Sequence, residues 1–202
     1  MITVRQMQRQ WSTKQYQALF QKLVEYRPEA AMAIPFEENW ALPCAAMAVI
    51  RLDELAQSET PLCRQLIDVI LHAQQADGGW GSLICTALCV RALLCSLGGG
   101  VAVERGIGFI ASLQQDQGIW PCVPIRRMPE DAFVSAFMLF ELGDQLLFRS
   151  VVDIPAALKW FDRFGANLAT GAANLWAKAS TRCRAVSRQT TVTCWSESES
   201  RA

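Results

Sequence analysis

Apolar residues recur at the spacing of one helix face along residues 62–73 and 103–113. Polar residues fill the positions between them, which predicts two amphipathic helices that each keep one face in solvent. Each of these segments is followed by a second segment, at 85–94 and 134–142, that is apolar nearly all round. We therefore expect half-polar outer helices to alternate with apolar inner helices. The apolar positions of the two outer helices are Leu62, Leu66, Ile67, Ile70, Leu71, Val103, Ile107, Ile110 and Leu113.

A polar motif with glutamine, glycine and tryptophan separates each outer helix from the inner helix after it, and its two copies are forty residues apart. A fixed period of this size is typical of repeat proteins, in which each repeat is one supersecondary unit. We expect the glycine to end the outer helix, the indole N–H to bind a carbonyl, and the glutamine to satisfy the adjoining helix end. The motif residues are Gln74, Asp77, Gly78 and Trp80 in the first copy and Gln114, Gly118 and Trp120 in the second.

The two copies differ in the distance from the motif to the inner helix. Thr86-Ala87 aligns with Ser135-Ala136, so the offset grows from forty residues to forty-nine. The extra residues fall in Pro121 to Glu130, which carries three prolines. Since a helix cannot run through prolines placed in this way, the segment is predicted to be a loop between the outer and inner helices.

Residues 74–81, Gln-Gln-Ala-Asp-Gly-Gly-Trp-Gly, resemble the QW repeat of squalene–hopene cyclases and related terpenoid cyclases, which also occurs in protein prenyltransferase β subunits. Thr86-Ala87-Leu88 in the apolar helix after the motif adds to the resemblance, which covers about residues 36–165. The second copy departs from the motif at Gln117, where the first has aspartate. The resemblance implies an α/α toroid, in which outer helices surround a ring of inner helices. Family toroids close with about six hairpins, and this chain supplies three or four, so we expect an all-α, partial α/α toroid.

The repeat pattern also predicts the domain organisation. Residues 1–179 are expected to form one repeat domain, and residues 180–202, which lack apolar periodicity, a disordered tail. Residues 1–27 read as an amphipathic helix that caps the open end of the stack, with a partner-binding helix as the alternative. The repeats are expected near 36–58, 62–97, 103–146 and 153–179.

The charge balance and the positions of the cysteines argue against several classes of function. Nineteen basic residues balance nineteen acidic ones, which gives no support to electrostatic binding of nucleic acid or of an acidic membrane. The sequence shows no secretory signal and no apolar run long enough to span a bilayer. Cys85 and Cys89 lie inside an apolar helix and no Cys-x-x-Cys occurs, so we expect reduced core cysteines and a cytoplasmic protein.

The resemblance implies that any catalytic acid would lie at the start of the second inner helix. Squalene–hopene type cyclases protonate an alkene with an Asp-x-Asp-Asp-Thr-Ala motif, whose middle aspartate is the general acid. Aligning Ser135-Ala136 with Thr-Ala places Asp131 on the first acidic position and Phe133 on that of the general acid. A lone carboxyl lacks the neighbours that would tune it, so Asp131 is predicted to be a helix N-cap. A rebuilt acid pair with Glu130 is the alternative.

Metal-dependent chemistry has no support in the sequence. The prenyltransferase resemblance would require a zinc site of aspartate, cysteine and histidine, yet the only histidine, His72, lies in an outer helix. There is also no Asp-Asp-x-x-Asp magnesium motif. We therefore predict no metal and no cofactor, and a partly exposed helical position for His72.

These observations favour a non-catalytic relative of the terpenoid cyclase repeats that acts as a binding or regulatory module. Its contact surface would be the inner helices, with Leu88, Phe133, Phe137 and Phe140 as candidate residues, and its partner a second copy or another protein. The alternative is an isoprenoid cyclase or prenyltransferase-type enzyme subunit that completes its ring by oligomerising and binds a hydrophobic isoprenoid. A decayed cyclase fragment is a third interpretation.

Overall fold

The computed structural model describes the backbone of residues 41–199 and the side chains of residues 41–184. This part of the chain belongs to one compact unit, is all-helical and contains no strand. None of its helices is both long and apolar enough to cross a membrane. The predicted capping helix at 1–27 lies outside the described residues, as does the beginning of the first repeat. The eight α-helices of this part are α1 (Ala41–Glu54), α2 (Pro61–His72), α3 (Leu83–Leu97), α4 (Val101–Leu113), α5 (Ala132–Leu142), α6 (Leu146–Val151), α7 (Ile154–Phe164) and α8 (Thr170–Glu199), and a 3₁₀ turn, Gly165–Asn167, follows α7.

The helices begin at residues whose side chains cap them. Thr60 accepts a hydrogen bond from the backbone N–H of Cys63, and Pro61 occupies the first turn of α2. Ser82 caps α3 and Asp153 caps α7 in the same way. Each cap satisfies one of the N–H groups that an α-helix leaves unpaired at its start. Asp153 therefore marks the start of α7, where the sequence analysis places the beginning of the last repeat.

Inner and outer helices occupy different layers, as the hydrophobic pattern predicts. The inner helices α1, α3, α5 and α8 pack side by side in chain order, while α2 packs on α1 and α3, and α4 packs on α3. Nine of the fifteen residues of α3 are buried, compared with three of the twelve residues of α2. Neighbours on both sides therefore account for the nearly uniform apolar character of the inner helices.

Both tryptophans of the repeated motif bind the end of the preceding outer helix. Trp80 Nε1 donates to the carbonyl of Ile70 at 2.7 Å, and Trp120 Nε1 donates to that of Ile110 at 2.8 Å. The usual helical donor to the Ile110 carbonyl is the N–H of Gln114, but this N–H turns to Ala111 instead. The indole thus satisfies a carbonyl that the helix end leaves unpaired. The predicted role of the indole N–H is confirmed.

The two motif glutamines reach the following outer helix. Gln74 Nε2 donates to the carbonyls of Gly78 and of Ala102, in the first turn of α4. Gln114 Nε2 donates to the carbonyls of Gly118 and of Asp153, and Gln114 Oε1 accepts from the N–H of Asp153. Each amide therefore joins its turn to the start of the next repeat, whereas the sequence suggested the adjoining helix end.

The structure confirms that the two inner helices are forty-nine residues apart in sequence, whereas the two motifs before them are forty residues apart. The backbone N–H of Trp80 donates to Thr86 Oγ1 at 3.0 Å, and that of Trp120 donates to Ser135 Oγ at 2.9 Å. These equivalent bonds show that Thr86 and Ser135 occupy the same position in the two repeats. The loop between Pro121 and Glu130 takes up the additional residues, and a bridge between these two residues closes it.

The expectation that glycine ends the outer helix is wrong. Helix α2 ends at His72 with Ala73 as its cap, so Gly78 lies in the turn beyond the helix end. Gly78 has φ +94°, and a Cβ atom there would lie 2.6 Å from the carbonyl oxygen of Arg105. Gly118 has φ +85° and an even closer neighbour in α7, the backbone N of Ala157. Glycine is needed because the next outer helix approaches the turn and because the backbone is left-handed.

Residue 180, where the sequence analysis places the start of a tail, lies inside α8. Ala179 and Cys183 are fully buried against the rest of the domain, and Arg182 binds groups at the end of α5. The seam of α8 uses small residues, which give a weak apolar periodicity and therefore no clear sequence signal. Side chains beyond residue 184 lie outside the described part of the chain.

Candidate functional site

Four residues of each of the inner helices α1, α3 and α5 lie on one side of that helix. We call the surface formed by these twelve residues the inner face. Along each helix the spacing is i, i+4, i+7 and i+11, so the four positions share one side. Helices α3 and α5 have helices packed on both sides, and most of their partly exposed residues lie at or next to these positions. The inner face comprises Cys44, Ala48, Arg51, Leu55, Ile84, Leu88, Arg91, Cys95, Phe133, Phe137, Phe140 and Asp144.

The half of the inner face near the helix starts is apolar and aromatic. The ring of Phe133 is 46% exposed, and Phe137 and Phe140 are half-buried. These three candidate contact residues are thus accessible on α5. Leu88 is only 8% exposed and packs in the core, so the structure does not offer it as a contact residue.

The other half of the inner face is a charged cluster. The Asp144 carboxylate lies 3.8 Å from Arg91 and 2.9 Å from Arg182. Arg182 also donates to the carbonyl of Phe140 at 2.6 Å, and its guanidinium lies over the Phe140 ring. One carboxylate therefore connects helices α3 and α8 at the end of α5.

The pKa values of two neighbouring carboxyl groups in this cluster, those of Glu141 and Asp144, are shifted in opposite directions. Burial raises the pKa of Glu141, and the nearby guanidinium charges of Arg91 and Arg182 offset only part of that rise. Burial also acts to raise the pKa of Asp144, but hydrogen bonds from Gln145 and Arg182 outweigh it and hold this pKa below its usual value. The cluster thus places an ionised carboxylate beside a carboxyl that holds its proton more strongly.

The two acidic residues at the start of α5 have structural partners. Asp131 Oδ1 accepts from the backbone N–H of Val134 at 2.9 Å, so its predicted N-cap role is confirmed. Glu130 Oε2 accepts from the indole N–H of Trp160 at 3.2 Å. Both lie at the opposite end of α5 from Glu141, about 15 Å away along the helix. The structure therefore does not bring the acidic residues of the loop together with the charged cluster.

His72 lies at the end of α2, in a helix as predicted but more exposed than expected, and its Nδ1 lies 2.7 Å from the carbonyl oxygen of Asp68. Within residues 41–184 no three side chains of histidine, cysteine, aspartate or glutamate are grouped closely enough to hold a metal ion. The buried thiols of Cys85 and Cys89 lie one turn apart on α3. A hydrogen bond with Cys85, together with burial, raises the pKa of Cys89.

Sequence reasoning missed the charged cluster. Arg91 and Glu141 are the charged residues of otherwise apolar inner helices, a contrast that is visible in the sequence. Charged side chains are rarely buried unless they are paired, so an arginine inside such a helix predicts a partner. The identity of the partner was not accessible, because Asp144 and Arg182 come from distant parts of the chain.

No family model matches this chain, and neither a curated protein nor a solved structure matches it. The geometry of the inner face is therefore the basis on which a function can be proposed.

Replacing Asp131 with alanine is expected to lower the free energy of unfolding by about 1 kcal/mol, because the N–H of Val134 loses its cap. Asp131→Asn keeps an oxygen acceptor and should stay close to the original value. Urea unfolding followed by circular dichroism measures both. Asp153→Ala removes the equivalent cap of α7 and serves as the matched control. If the asparagine variant is as unstable as the alanine variant, capping is not the role of Asp131.

Proposed function

We propose that this protein is a non-catalytic relative of the terpenoid cyclase repeats, built as a partial α/α toroid, that binds a protein partner through its inner face. One observation carries this proposal. In the resemblance, the general acid belongs at residue 133, and here that position is a phenylalanine with 46% of its surface exposed. The remaining acidic residue of the motif, Asp131, is engaged as a helix cap.

The chemistry of the inner face suits a protein partner. Three phenylalanines follow one another along α5, and Arg182 lies beside the last of them. Aromatic residues and arginine are enriched at the centres of protein interfaces, where they supply much of the binding energy. The ion pairs of Asp144 hold Arg182 in place before any partner arrives, which lowers the entropy lost on binding. The partner is another protein or, as in a homodimer, a second copy of the chain.

A second candidate function is favoured by Glu141. A carboxyl with a raised pKa beside an ionised carboxylate is an arrangement found at acid–base catalytic sites. In this alternative the chain is an isoprenoid cyclase or prenyltransferase-type enzyme subunit, completed by oligomerisation, with a hydrophobic isoprenoid against the aromatic half of the inner face. The pairing of Asp144 with two arginines is equally well explained by helix packing, so we place this function second.

Native mass spectrometry of the gently purified protein tests the proposal. We expect a complex with a second protein or a second copy, whose affinity is then measured by isothermal titration calorimetry with purified components. Phe133→Glu places a charge on the most exposed phenylalanine of the aromatic half and should weaken binding at least about tenfold. Val69→Glu changes an exposed apolar residue of the outer helix α2 and is the matched control.

Two results would contradict a non-catalytic binding module. One is turnover of squalene or a prenyl diphosphate that Asp131→Asn or Glu141→Gln abolishes while the helical circular dichroism spectrum is retained. The other is a dimer that carries an additional hydrophobic small molecule, whose binding Phe133→Glu prevents. Either outcome would favour the enzyme subunit.

A further inference from the structure

The loop between Pro121 and Glu130 carries a pair of adjacent arginines, Arg126 and Arg127, and no other two basic residues of the sequence are adjacent. Every other lysine and arginine of residues 41–199 lies in a helix. Exposed loops are the preferred sites of proteolytic cutting, whereas a helix must first unfold to present its backbone to a protease. In this part of the chain, the pair therefore offers basic residues to a protease where no helix has to open.

The arginine pair lies in an exposed run of the loop. The six residues from 124 to 129 are all exposed, and this run includes the peptide bond between Arg127 and Met128. Arg127 forms no hydrogen bond or ion pair within the described part of the chain. Arg126 lies 3.0 Å from Asp116, but both side chains of this ion pair are more than half exposed, so it adds little stability. Both arginine side chains can thus turn toward a binding partner at little cost.

Gln115 determines how easily the loop opens. Its Nε2 donates to the carbonyls of Arg126 and Met128, at 2.9 Å and 2.7 Å, one on each side of the bond after Arg127. The backbone N–H of Met128 also donates to the carbonyl of Ile125 at 2.9 Å. A protease has to break these bonds to extend the backbone. Because the segment is exposed, such a local opening costs less than the unfolding of a helix.

Three carboxylates lie close to the pair in sequence or in space. Asp116 pairs with Arg126, Glu130 accepts from the Trp160 indole, and Asp131 caps α5. A protease that recognises arginine binds the side chain through a carboxylate in its pocket, so these negative charges slow its approach. Recognition itself depends on the two arginine side chains that enter the pockets. The surrounding acidic residues therefore affect the rate of cleavage and not its position.

The contacts that join the two halves of the chain lie outside the exposed run. The backbone N–H of Asp131 donates to the carbonyl of Trp120 at 2.9 Å, and Pro121 and Glu130 form a bridge at the base of the loop. Trp120 is completely buried and stacks on Phe148, which follows the loop in sequence. Inner helix α3 packs on α5, and α4 packs on α6. These contacts persist when a bond within residues 124–129 is broken.

We propose that the peptide bond between Arg127 and Met128 is a cleavage site for an endoprotease that recognises paired basic residues, and that cleavage yields a folded, two-chain form of the protein. Hydrolysis adds one water molecule across this bond, so that Arg127 gains a carboxylate end and Met128 an ammonium end. Helices α1 to α4 then belong to one chain and α5 to α8 to the other. This inference does not depend on the function proposed for the inner face.

Cleavage is tested by incubating the full-length protein with a serine protease specific for paired basic residues and identifying the products by intact mass spectrometry. We expect one cut, which gives residues 1–127 and 128–202. Arg127→Gln should slow this cut at least about a hundredfold, because the pocket loses the group that it is built to bind. Gln115→Ala and Asp116→Asn should each speed it, the first by opening the loop more often and the second by releasing Arg126 and removing a negative charge.

A second protease and a matched variant test the role of the fold. Trypsin at low concentration should make its first cut within residues 41–184 after Arg126 or Arg127, since the other basic residues there lie in helices. Arg64→Gln changes an exposed arginine of α2 and should leave both results unchanged. The cleavage site is refuted if the paired-basic protease cuts a synthetic peptide of residues 121–130 but leaves the protein whole, or if trypsin cuts a helix of this region first.

The two-chain form has its own measurement. After cleavage, the two chains should elute together in size-exclusion chromatography and retain the helical circular dichroism spectrum. The midpoint of urea unfolding should rise with protein concentration for the cleaved protein but not for the intact one, because only the cleaved protein dissociates when it unfolds. Separation of the two chains without denaturant would show that the packing across the loop does not hold the halves together.

Discussion

Replacing Trp120 with alanine will lower the free energy of unfolding by about 4 kcal/mol. Trp120 is completely buried, and its ring stacks against Phe148 at a centroid distance of 6.1 Å. The truncation removes this packing, leaves a cavity, and deprives the Ile110 carbonyl of its donor. Urea unfolding followed by circular dichroism gives the change.

Two further variants divide the loss into its causes. Trp120→Phe keeps an aromatic ring but leaves the buried carbonyl of Ile110 unpaired, which should cost about 2 kcal/mol. Leu97→Ala shortens an apolar side chain that is 53% exposed and should change stability by less than about 0.5 kcal/mol. If Trp120→Ala is no more destabilising than Leu97→Ala, the tryptophan does not support the repeat as the structure indicates.

Replacing Gly78 with alanine will lower the free energy of unfolding by about 3 kcal/mol. The new methyl group would lie 2.6 Å from the carbonyl oxygen of Arg105, and that oxygen belongs to a helix backbone that cannot move alone. The left-handed backbone at φ +94° adds a further cost for any residue with a Cβ atom. Thermal and urea unfolding should both report the loss.

Gly108→Ala is the matched control for this substitution. Gly108 lies in α4, the same helix that approaches Gly78, but a Cβ atom there meets no atom within 4 Å. Alanine is favoured over glycine in a helix interior, so this variant should gain up to about 1 kcal/mol. Equal effects of the two substitutions would show that the approach of α4 to the turn does not constrain Gly78.

The aromatic half of the inner face could be predicted from the sequence, but the charged half could not. Phe133, Phe137 and Phe140 share one helix, so the period of the α-helix is enough to place them on one side. Arg91, Asp144 and Arg182 come from three separate segments, and their meeting depends on how α3, α5 and α8 pack. Leu88 was expected on the contact surface but is buried in the core. Its burial depends on how neighbouring helices pack around it, which the sequence of its own helix does not specify.

Local sequence determined the positions of the outer and inner helices, the caps at Asp131 and Asp153, and the bonds of the motif tryptophans. These features depend on helix periodicity and on hydrogen bonds between residues close together in the chain. The tertiary structure alone decided why Gly78 must be glycine, which helix each motif glutamine reaches, and that residues 180–184 pack on α5. Each of these features depends on how closely helices that are far apart in sequence approach one another. The order of residue types along the chain does not specify that spatial distance.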